Sequence, residues 1–271
     1  MLDAKPSTVL NSYALAVHRI LCRAHVPMPR AKLLKSTNAG LKRSYKDVHG
    51  TLKLMPNKRQ AMLPSRWASV ERLAEGTRLP GRREAWSPKT RHRDRSLLRI
   101  GRTLWRTGHC IGEVCEHPSG DGSSLMRSCV TLRLGGRPIT NPTRADWLAM
   151  RKGDCVLLTP CPSKCDQFGE RWCPFPSILA FDGTDDCAAS AIRDIELESP
   201  CRDEARRKVT HLFTDEDGRP FTYSVLHREL RLVLAALFGE RIASTLSWHA
   251  IRIGLACALA SANCPDAHIH L

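Results

Sequence analysis

The sequence predicts a mostly α-helical protein with a small antiparallel β-sheet, an α+β fold arranged in two lobes. Three observations support this prediction. Apolar residues recur at helical spacing near both ends of the chain, and apolar runs of strand length lie in its middle. In addition, 42% of the 271 residues are hydrophobic, which is enough for a sizeable buried core.

The first lobe is predicted to be a helical domain over residues 1–75. The stretch 7–26 places apolar residues on one helical stripe that two prolines end, and further helices are predicted over about 30–47 and from Ser65. The second helix has leucines on one side and basic residues over much of the remaining surface. This pattern favours contact with a phosphate backbone, and a merely solvated basic surface is the alternative. The DNA-binding candidates in this lobe are Lys32, Lys35, Lys42 and Arg43.

Residues 76–95 are predicted to form a basic linker between the lobes. The stretch has Pro and Gly punctuation, many basic residues and few apolar ones, which is typical of a domain boundary. A basic linker also suits a protein that wraps DNA between two lobes. The DNA-binding candidates in the linker are Arg82, Arg83, Arg91 and Arg93.

The second lobe, residues 96–271, is predicted to combine helices with the sheet. A helix over about 94–107 opens it, and strand candidates follow at 129–134, 154–160 and 172–179. The last two strands predict a β-hairpin with PSKCDQFGER at its tip.

Two further helices are predicted near the end of the chain. Thr222 is a candidate N-cap for an apolar stripe that Gly239 closes, and another helix spans about 247–262.

The charge of the chain predicts a polyanionic partner. Lys and Arg total 42 against 27 acidic residues, a formal net charge of +15. Nucleic acid is the commonest intracellular polyanion, and an anionic membrane surface is the rival. The sequence has no 18-residue apolar run and no hydrophobic signal core at its N-terminus. We therefore expect an intracellular, DNA-associated protein, nuclear if eukaryotic, that is neither secreted nor bound to a membrane.

Twelve cysteines raise the question of disulfides or zinc. No CxxC pair occurs, so free thiols in a reducing compartment are the simplest interpretation. Two clusters lack the paired spacing of structural zinc sites. They are His109, Cys110, Cys115 and His117, and the run Cys155, Cys161, Cys165 and Cys173. The prediction is therefore no metal and no cofactor, with a zinc-stabilised nucleic-acid-binding module as an alternative.

The segment SWHAIRIGLACALASANCPDAHIHL carries the strongest candidate site. His249 and Arg252 are three residues apart and project from one face of the predicted helix. A guanidinium fork beside an imidazole that can change protonation suits a phosphodiester whose negative charge grows during transfer. By itself HxxR is a weak signal, because a surface His and a structural Arg would also produce it.

Several motifs resemble those of the tyrosine recombinases, the phage-integrase-like family. His249 to Asp266 is similar to the family signature HxxR-I-G-x-A-x-x-L-A-x-A-x-x-P-D, and LFTDEDGRPFTYSVLHREL at 212–230 is similar to the lead into it. The hairpin tip PSKCDQFGE resembles the SK-x-DQ-x-G segment of the family. Upstream, YALAVHRILCRAHVPMP and LLKSTNAGLKRSY resemble its helical core-binding domain.

The resemblance implies a core-binding domain over 1–75 and a catalytic domain over 96–271 that is incomplete at its C-terminus. It implies double-stranded DNA as the partner, with DNA integration and site-specific recombination through a 3′-phosphotyrosyl intermediate in complete relatives. In this family Lys164 would be the general acid, and His249 and Arg252 would bind and polarise the phosphate. Family members work as synaptic tetramers, so a homo-oligomer on DNA is expected, with its assembly impaired by the truncation.

Two departures from the family pattern affect the expected activity. The family motif T-G-x-R-x-x-E corresponds to Thr107–Glu113, with Cys110 in place of the first catalytic arginine, and Arg102 or Arg106 are possible substitutes. A thiol cannot provide the planar two-donor clamp of a guanidinium, and Glu113 is expected to be structural.

The second departure concerns the nucleophile. The chain ends 19 residues after Arg252, and its three tyrosines, Tyr13, Tyr45 and Tyr223, all precede the HxxR motif. Because covalent catalysis needs an aligned nucleophile, the chain is expected to bind DNA without completing strand transfer. The alternative is a catalytically dead DNA-binding protein, domesticated or decaying from a mobile element, that needs only the basic surface.

Overall fold

The computed structural model describes residues 60–115, 124–160 and 175–264. The chain divides into two compact units, Met1–Lys58 and Arg59–Leu271, and every described residue belongs to the second. The helices predicted over 7–26 and 30–47 therefore lie outside the described residues. So do the four DNA-binding candidates Lys32, Lys35, Lys42 and Arg43.

Within the described ranges the second unit has eight α-helices and four β-strands. The helices are α1 (Pro64–Glu71), α2 (His92–Thr107), α3 (Arg144–Leu148), α4 (Ala188–Glu198), α5 (Glu204–Val209), α6 (Tyr223–Phe238), α7 (Glu240–Ala243) and α8 (Trp248–Ser261). The strands are β1 (Val130–Leu134), β2 (Arg137–Ile139), β3 (Cys155–Leu158) and β4 (Ser177–Ala180). This content confirms the predicted α+β class. None of the described helices combines the length and apolar composition that a bilayer span requires.

The four strands form one antiparallel sheet in the order β2-β1-β3-β4. Leu132, Val156 and Leu179 occupy one cross-strand row, and all three are buried. Because side chains alternate along a strand, this row marks the face that packs against α2 and α4. The antiparallel pairing of β3 with β4 agrees with the predicted hairpin, whose tip lies outside the described residues.

Helix α2 lies at the centre of the second unit. It contacts α4, α6, α8 and β4, and its buried residues lie on nearly every side of the helix. At Gly101 a Cβ would overlap the ring of Trp67, so a glycine there lets α1 pack directly on α2. The helix ends at Gly108, whose φ of 68° is left-handed and favours glycine.

Helices α6 and α8 form where the sequence predicts them. The Thr222 hydroxyl accepts a hydrogen bond from the backbone N–H of Val225 at 3.4 Å, and Gly239 ends α6. The predicted apolar stripe is the buried face. Its fully buried members are Leu226, Leu230, Val233 and Leu234.

The domain boundary differs from the predicted one. Residues 76–95 are part of the second unit, because Leu79 and Trp86 are buried in its core. Two backbone hydrogen bonds close this segment on itself, from Gly76 N to Trp86 O and from Trp86 N to Thr77 O, both 2.8 Å. The scarcity of apolar residues suggested a linker, but two large apolar side chains suffice to anchor the segment. The segment is therefore a packed loop rather than a spacer.

A buried carboxylate joins the start of the sheet to α4 and α5. Glu196 is 3% exposed and lies 3.4 Å from Arg127 Nη1 and 3.0 Å from Arg207 Nη1. Both arginines are buried, and each also donates to backbone carbonyls, Arg127 to Ser199 O and Arg207 to Cys201 O and Arg127 O. The two guanidiniums share a single carboxylate as their counter-charge.

Replacing Glu196 by Gln should strongly destabilise the second unit. The variant leaves two buried guanidiniums without a carboxylate, a change that typically costs about 3–5 kcal/mol. The matched control is Glu204→Gln, because Glu204 pairs with Lys208 on the exposed surface of α5. That change should alter the free energy of unfolding by less than about 1 kcal/mol. Urea denaturation measures both variants, and equal losses would contradict the buried pairing.

Candidate functional site

Helix α8 carries the HxxR residues and is held tightly at its N-terminal half. Trp248, Ala250 and Ile251 are buried, and Met62 N donates to Ala250 O at 2.8 Å. A Cβ at Gly254 would collide with the Met62 carbonyl oxygen and lie 3.0 Å from the Trp105 ring. The glycine therefore allows α8 to approach both α2 and the Met62 backbone.

His249 and Arg252 lie on the less buried side of this anchored helix. His249 is exposed in the first turn, and Arg252 is half-buried one turn later. Because the helix around them is anchored by Trp248 and Ile251, the starting point of the Arg252 side chain is fixed relative to α2.

The turn after α2 holds Cys110 in a defined position. The backbone N–H of Cys110 donates to Glu113 Oε2 at 2.6 Å, and the N–H of Glu113 donates to Cys110 O at 2.9 Å. The bond to the Glu113 carboxylate is the glutamate half of a capping box at the start of the 3-10 turn Ile111–Glu113, and the bond to the Cys110 carbonyl closes the turn itself. Glu113 thus stabilises the backbone of the turn, in keeping with the structural role expected for it.

The two elements meet at a direct contact between Cys110 and Arg252. Arg252 Nη1 donates to Cys110 Sγ at 2.8 Å, although the residues are 142 positions apart in the sequence. The structure therefore brings together the two positions that correspond to arginines in the resembled family. The third predicted catalytic residue, Lys164, lies outside the described residues.

Arg252 differs in its partners from four of the five arginines of α2. Arg93, Arg95, Arg99 and Arg102 all lie within 4 Å of a carboxylate, at distances from 2.6 to 3.6 Å. Among the residues that the structure describes, Arg252 pairs with no carboxylate and contacts the Cys110 sulfur instead. Arg252 therefore has no direct carboxylate partner among the described residues, which suits an anion-binding group.

His109 is a buried neighbour of this contact that the sequence suggested only as a weak zinc ligand. Its side chain is 9% exposed, and its Nε2 has no hydrogen-bond partner among the described residues. Burial lowers the pKa of His109 below its ordinary value of 6.5, and the nearby Arg252 guanidinium lowers it further. Glu113 and the Thr107 backbone act in the opposite direction but do not outweigh burial. His109 is therefore neutral at pH 7, beside the positive charge of Arg252.

Within the described ranges, no hydrogen bond or ion pair joins Arg102 or Arg106 to Cys110 or Arg252. Arg102 is bound to Glu71 at 3.2 Å and to Asp186 at 2.6 Å, on the side of α2 that faces α1 and α4. Arg106 lines the same cavity of about 150 Å³ as Arg102. Neither Cys110 nor Arg252 is among the described lining residues of that cavity.

The predicted DNA-binding arginines of residues 76–95 fall into three groups. Arg82 is 7% exposed at its side chain and lies 2.7 Å from the buried Asp94, so its role is structural and its assignment to DNA is corrected. Arg91 and Arg93 are more exposed but lie 3.6 Å from Glu84 and Glu229, respectively. Arg83 is exposed and has no ion-pair partner among the described residues. Of these four residues, Arg83 has the side chain best placed for a phosphate.

A few further residues bear on the predicted chemistry. Within the described ranges, no three His, Cys, Asp or Glu residues are grouped to hold a metal ion. Four members of the zinc candidates, His117, Cys161, Cys165 and Cys173, lie outside those ranges. Tyr223, one of the three tyrosines that precede the HxxR motif, is 47% exposed and stacks on His227 with ring centroids 5.3 Å apart.

Comparison of the sequence with models of known protein families found no match. Comparison with curated proteins found none either.

The buried, neutral state of His109 predicts that stability falls as the solution becomes more acidic. The unfolded chain binds a proton at His109 near pH 6.5, whereas the folded protein resists this until lower pH. The free energy of unfolding should therefore decrease from about pH 7 to about pH 5, and less so in His109→Leu.

His227 adds to this pH dependence, because burial and the nearby Arg231 also lower its pKa. The His109→Leu variant should keep part of the fall in unfolding free energy between pH 7 and pH 5. The double variant, with His227→Leu added, should keep less of it. Urea denaturation across this pH range measures both. An unchanged slope in His109→Leu would show that His109 is not the titrating group.

Proposed function

We propose that the protein is a DNA-binding protein of the tyrosine recombinase type. The observation that carries this proposal is the contact between Cys110 and Arg252 at 2.8 Å. Two motifs far apart in the sequence, TGxxxxE after α2 and HxxR on α8, were assigned to one site from their resemblance to the family. Their contact supports a shared site, because a chance resemblance of two unrelated segments gives no reason for them to meet.

The charge distribution supports DNA as the partner. Met1–Lys58 contains 11 Lys and Arg residues and only two acidic ones, whereas Arg59–Leu271 contains 31 basic and 25 acidic residues. In the described part of the second unit many arginines are paired with carboxylates, so they offer little net charge to a phosphate backbone. The electrostatic contribution to DNA binding would come mainly from the first unit, including Lys32, Lys35, Lys42 and Arg43, with Arg83 adding to it.

At the site itself Arg252 would bind one phosphate of the backbone. His249 would act beside it as a donor whose charge depends on pH, and Lys164 would act as the general acid of the family. With Cys110 in place of the first arginine, one two-donor clamp on the phosphate is missing. Losing one such donor typically lowers the rate by about 10²–10³, so the proposed activity is DNA binding rather than efficient strand transfer.

The alternative is a DNA-binding protein that has lost the recombinase chemistry altogether. Cys110 favours this alternative, because the sulfur contacts Arg252 where the family would place a second cation. The two proposals agree on duplex DNA as the partner. They differ in whether Lys164 and His249 contribute to function.

Binding of duplex DNA should depend steeply on salt. Each phosphate contact releases condensed counterions, contributing about −0.9 to the slope of log affinity against log salt concentration. Replacing Lys32, Lys35, Lys42 and Arg43 together by Ala should make the slope shallower by about 3 to 4. Fluorescence anisotropy with a labelled duplex measures the slopes.

The matched control for this variant is Lys208→Ala with Arg219→Ala. Both side chains are exposed and paired with Glu204 and Asp217, so their loss should leave the slope unchanged. A flat salt response of the unaltered protein, or equal slopes in all variants, would contradict the proposed function.

Arg82 and Arg83 provide an adjacent pair with opposite expected effects. Arg83→Ala should reduce the magnitude of the salt slope by about 1 and leave stability unchanged, because the side chain is exposed and unpaired among the described residues. Arg82→Ala leaves the buried Asp94 without its nearest counter-charge, which should cost about 3–5 kcal/mol of unfolding free energy. Anisotropy and urea denaturation separate the two. A stable Arg82→Ala protein with weakened DNA binding would refute this assignment.

A further inference from the structure

Cys110 does more than leave out an arginine, because its side chain makes a contact of its own. Its Sγ accepts a hydrogen bond from Arg252 Nη1, and the contact joins the end of α2 to the first turns of α8. A cysteine sulfur is a weak acceptor, so it can orient the guanidinium without a carboxylate occupying it. A carboxylate at this position would neutralise Arg252, as Asp186 and Glu71 do for Arg102.

The backbone of Cys110 is fixed independently of Arg252. Gly108 ends α2 in a left-handed conformation, and the reciprocal hydrogen bonds between Cys110 and Glu113 close the next turn. On the other side, Gly254 sets the approach of α8 to Trp105 and to the Met62 carbonyl. The sulfur and the base of the Arg252 side chain therefore have defined positions, and the hydrogen bond selects one orientation of the flexible side chain between them.

The atom that Cys110 engages determines which donors of Arg252 stay available. The contact uses Nη1, whereas Nε and Nη2 have no partner among the described residues. Nε–H and Nη2–H point in nearly parallel directions and form one of the two-donor forks of a guanidinium. Two oxygens of one phosphate match this fork, and the half-buried position of Arg252 strengthens such a bond relative to bulk water.

We propose that Cys110 is a positioning residue for Arg252, holding Nη1 so that Nε and Nη2 present a two-donor fork to a DNA phosphate. The inference rests on the proposed DNA-binding function and goes beyond it, because it gives the replacement at position 110 a role of its own. The buried His109 imidazole lies beside the same guanidinium and is neutral, so it adds no competing positive charge at pH 7.

The test is a double-mutant cycle between positions 110 and 252, read as affinity for a labelled duplex at low salt. Cys110→Ala removes the acceptor and should weaken binding about threefold to tenfold, the effect of one modest hydrogen bond. In the Arg252→Ala background the same change should have no effect. Cys110→Ser keeps an acceptor at nearly the same place and should bind within about twofold of the unaltered protein.

The matched control is Cys257→Ala. This cysteine is exposed on the same helix as Arg252, and the change should leave affinity unchanged. Thermal unfolding of each variant establishes that loss of affinity is not loss of fold.

Reversible modification of the thiol gives a second measurement on the unmutated protein. Methyl methanethiosulfonate transfers its thiomethyl group to the cysteine sulfur, forming a mixed disulfide, and methanesulfinate leaves. The treated protein should lose affinity about as Cys110→Ala does, and dithiothreitol should restore it. Cys110→Ser, which retains the other eleven cysteines, should be insensitive to the same treatment.

The outcomes separate the two proposals. Both proposals fail if the unaltered protein does not bind the duplex. They also fail if the Arg252→Ala variant binds the duplex as tightly as the unaltered protein, because the site is then not a DNA-phosphate site. If Arg252→Ala weakens binding but Cys110→Ala does not, or weakens it equally in both backgrounds, only the positioning role of Cys110 is refuted. Equal losses of affinity in treated unaltered protein and treated Cys110→Ser would refute it as well.

Discussion

The close packing of α8 on α2 is the constraint on which the candidate site depends. It requires a residue without a Cβ at position 254, because a side chain there would meet the Met62 carbonyl and the Trp105 ring. With the helices in contact at that point, Arg252 projects toward the turn that follows α2, and Cys110 lies within hydrogen-bonding distance.

Charge pairing is the second organising feature, and it separates structural arginines from those open to a partner. Glu196 neutralises two buried guanidiniums, and Asp94 neutralises Arg82. Removing one partner of a buried ion pair leaves an uncompensated buried charge, which is strongly destabilising. These arginines therefore have a structural role. Arg252 is different because its contact is a thiol, and its charge stays available to an anion. The excess of basic over acidic residues is therefore larger in Met1–Lys58 than in Arg59–Leu271, although the first unit is much shorter.

Under the proposed function, these two features would let the chain hold a phosphate despite its departure from the pattern of the family it resembles. In that proposal, a thiol in place of the family's first arginine would remove a clamp, and it would also remove a like charge from the neighbourhood of Arg252. The neutral His109 beside it has the same consequence for the electrostatics of the site. The arrangement suits holding a phosphate with one oriented guanidinium, which is a binding role, more than it suits stabilising the additional charge of a transition state.

Local patterns in the sequence were sufficient for the elements whose signals are local. The apolar stripe with Thr222 and Gly239 determined α6, the run before Gly108 determined α2, and the apolar segments at 129–134 and 154–160 determined two strands. Short elements such as α3, α5 and α7 were not predicted, because a turn or two of helix carries too little periodicity. Local sequence patterns also could not predict which carboxylate pairs with each arginine. Arg82 and Arg83 are adjacent in the chain, yet only Arg82 is buried against Asp94. The sequence by itself determined that HxxR shares one helix face. Only the tertiary structure decided that Cys110 touches Arg252, because that contact depends on how closely two helices far apart in the chain can pack.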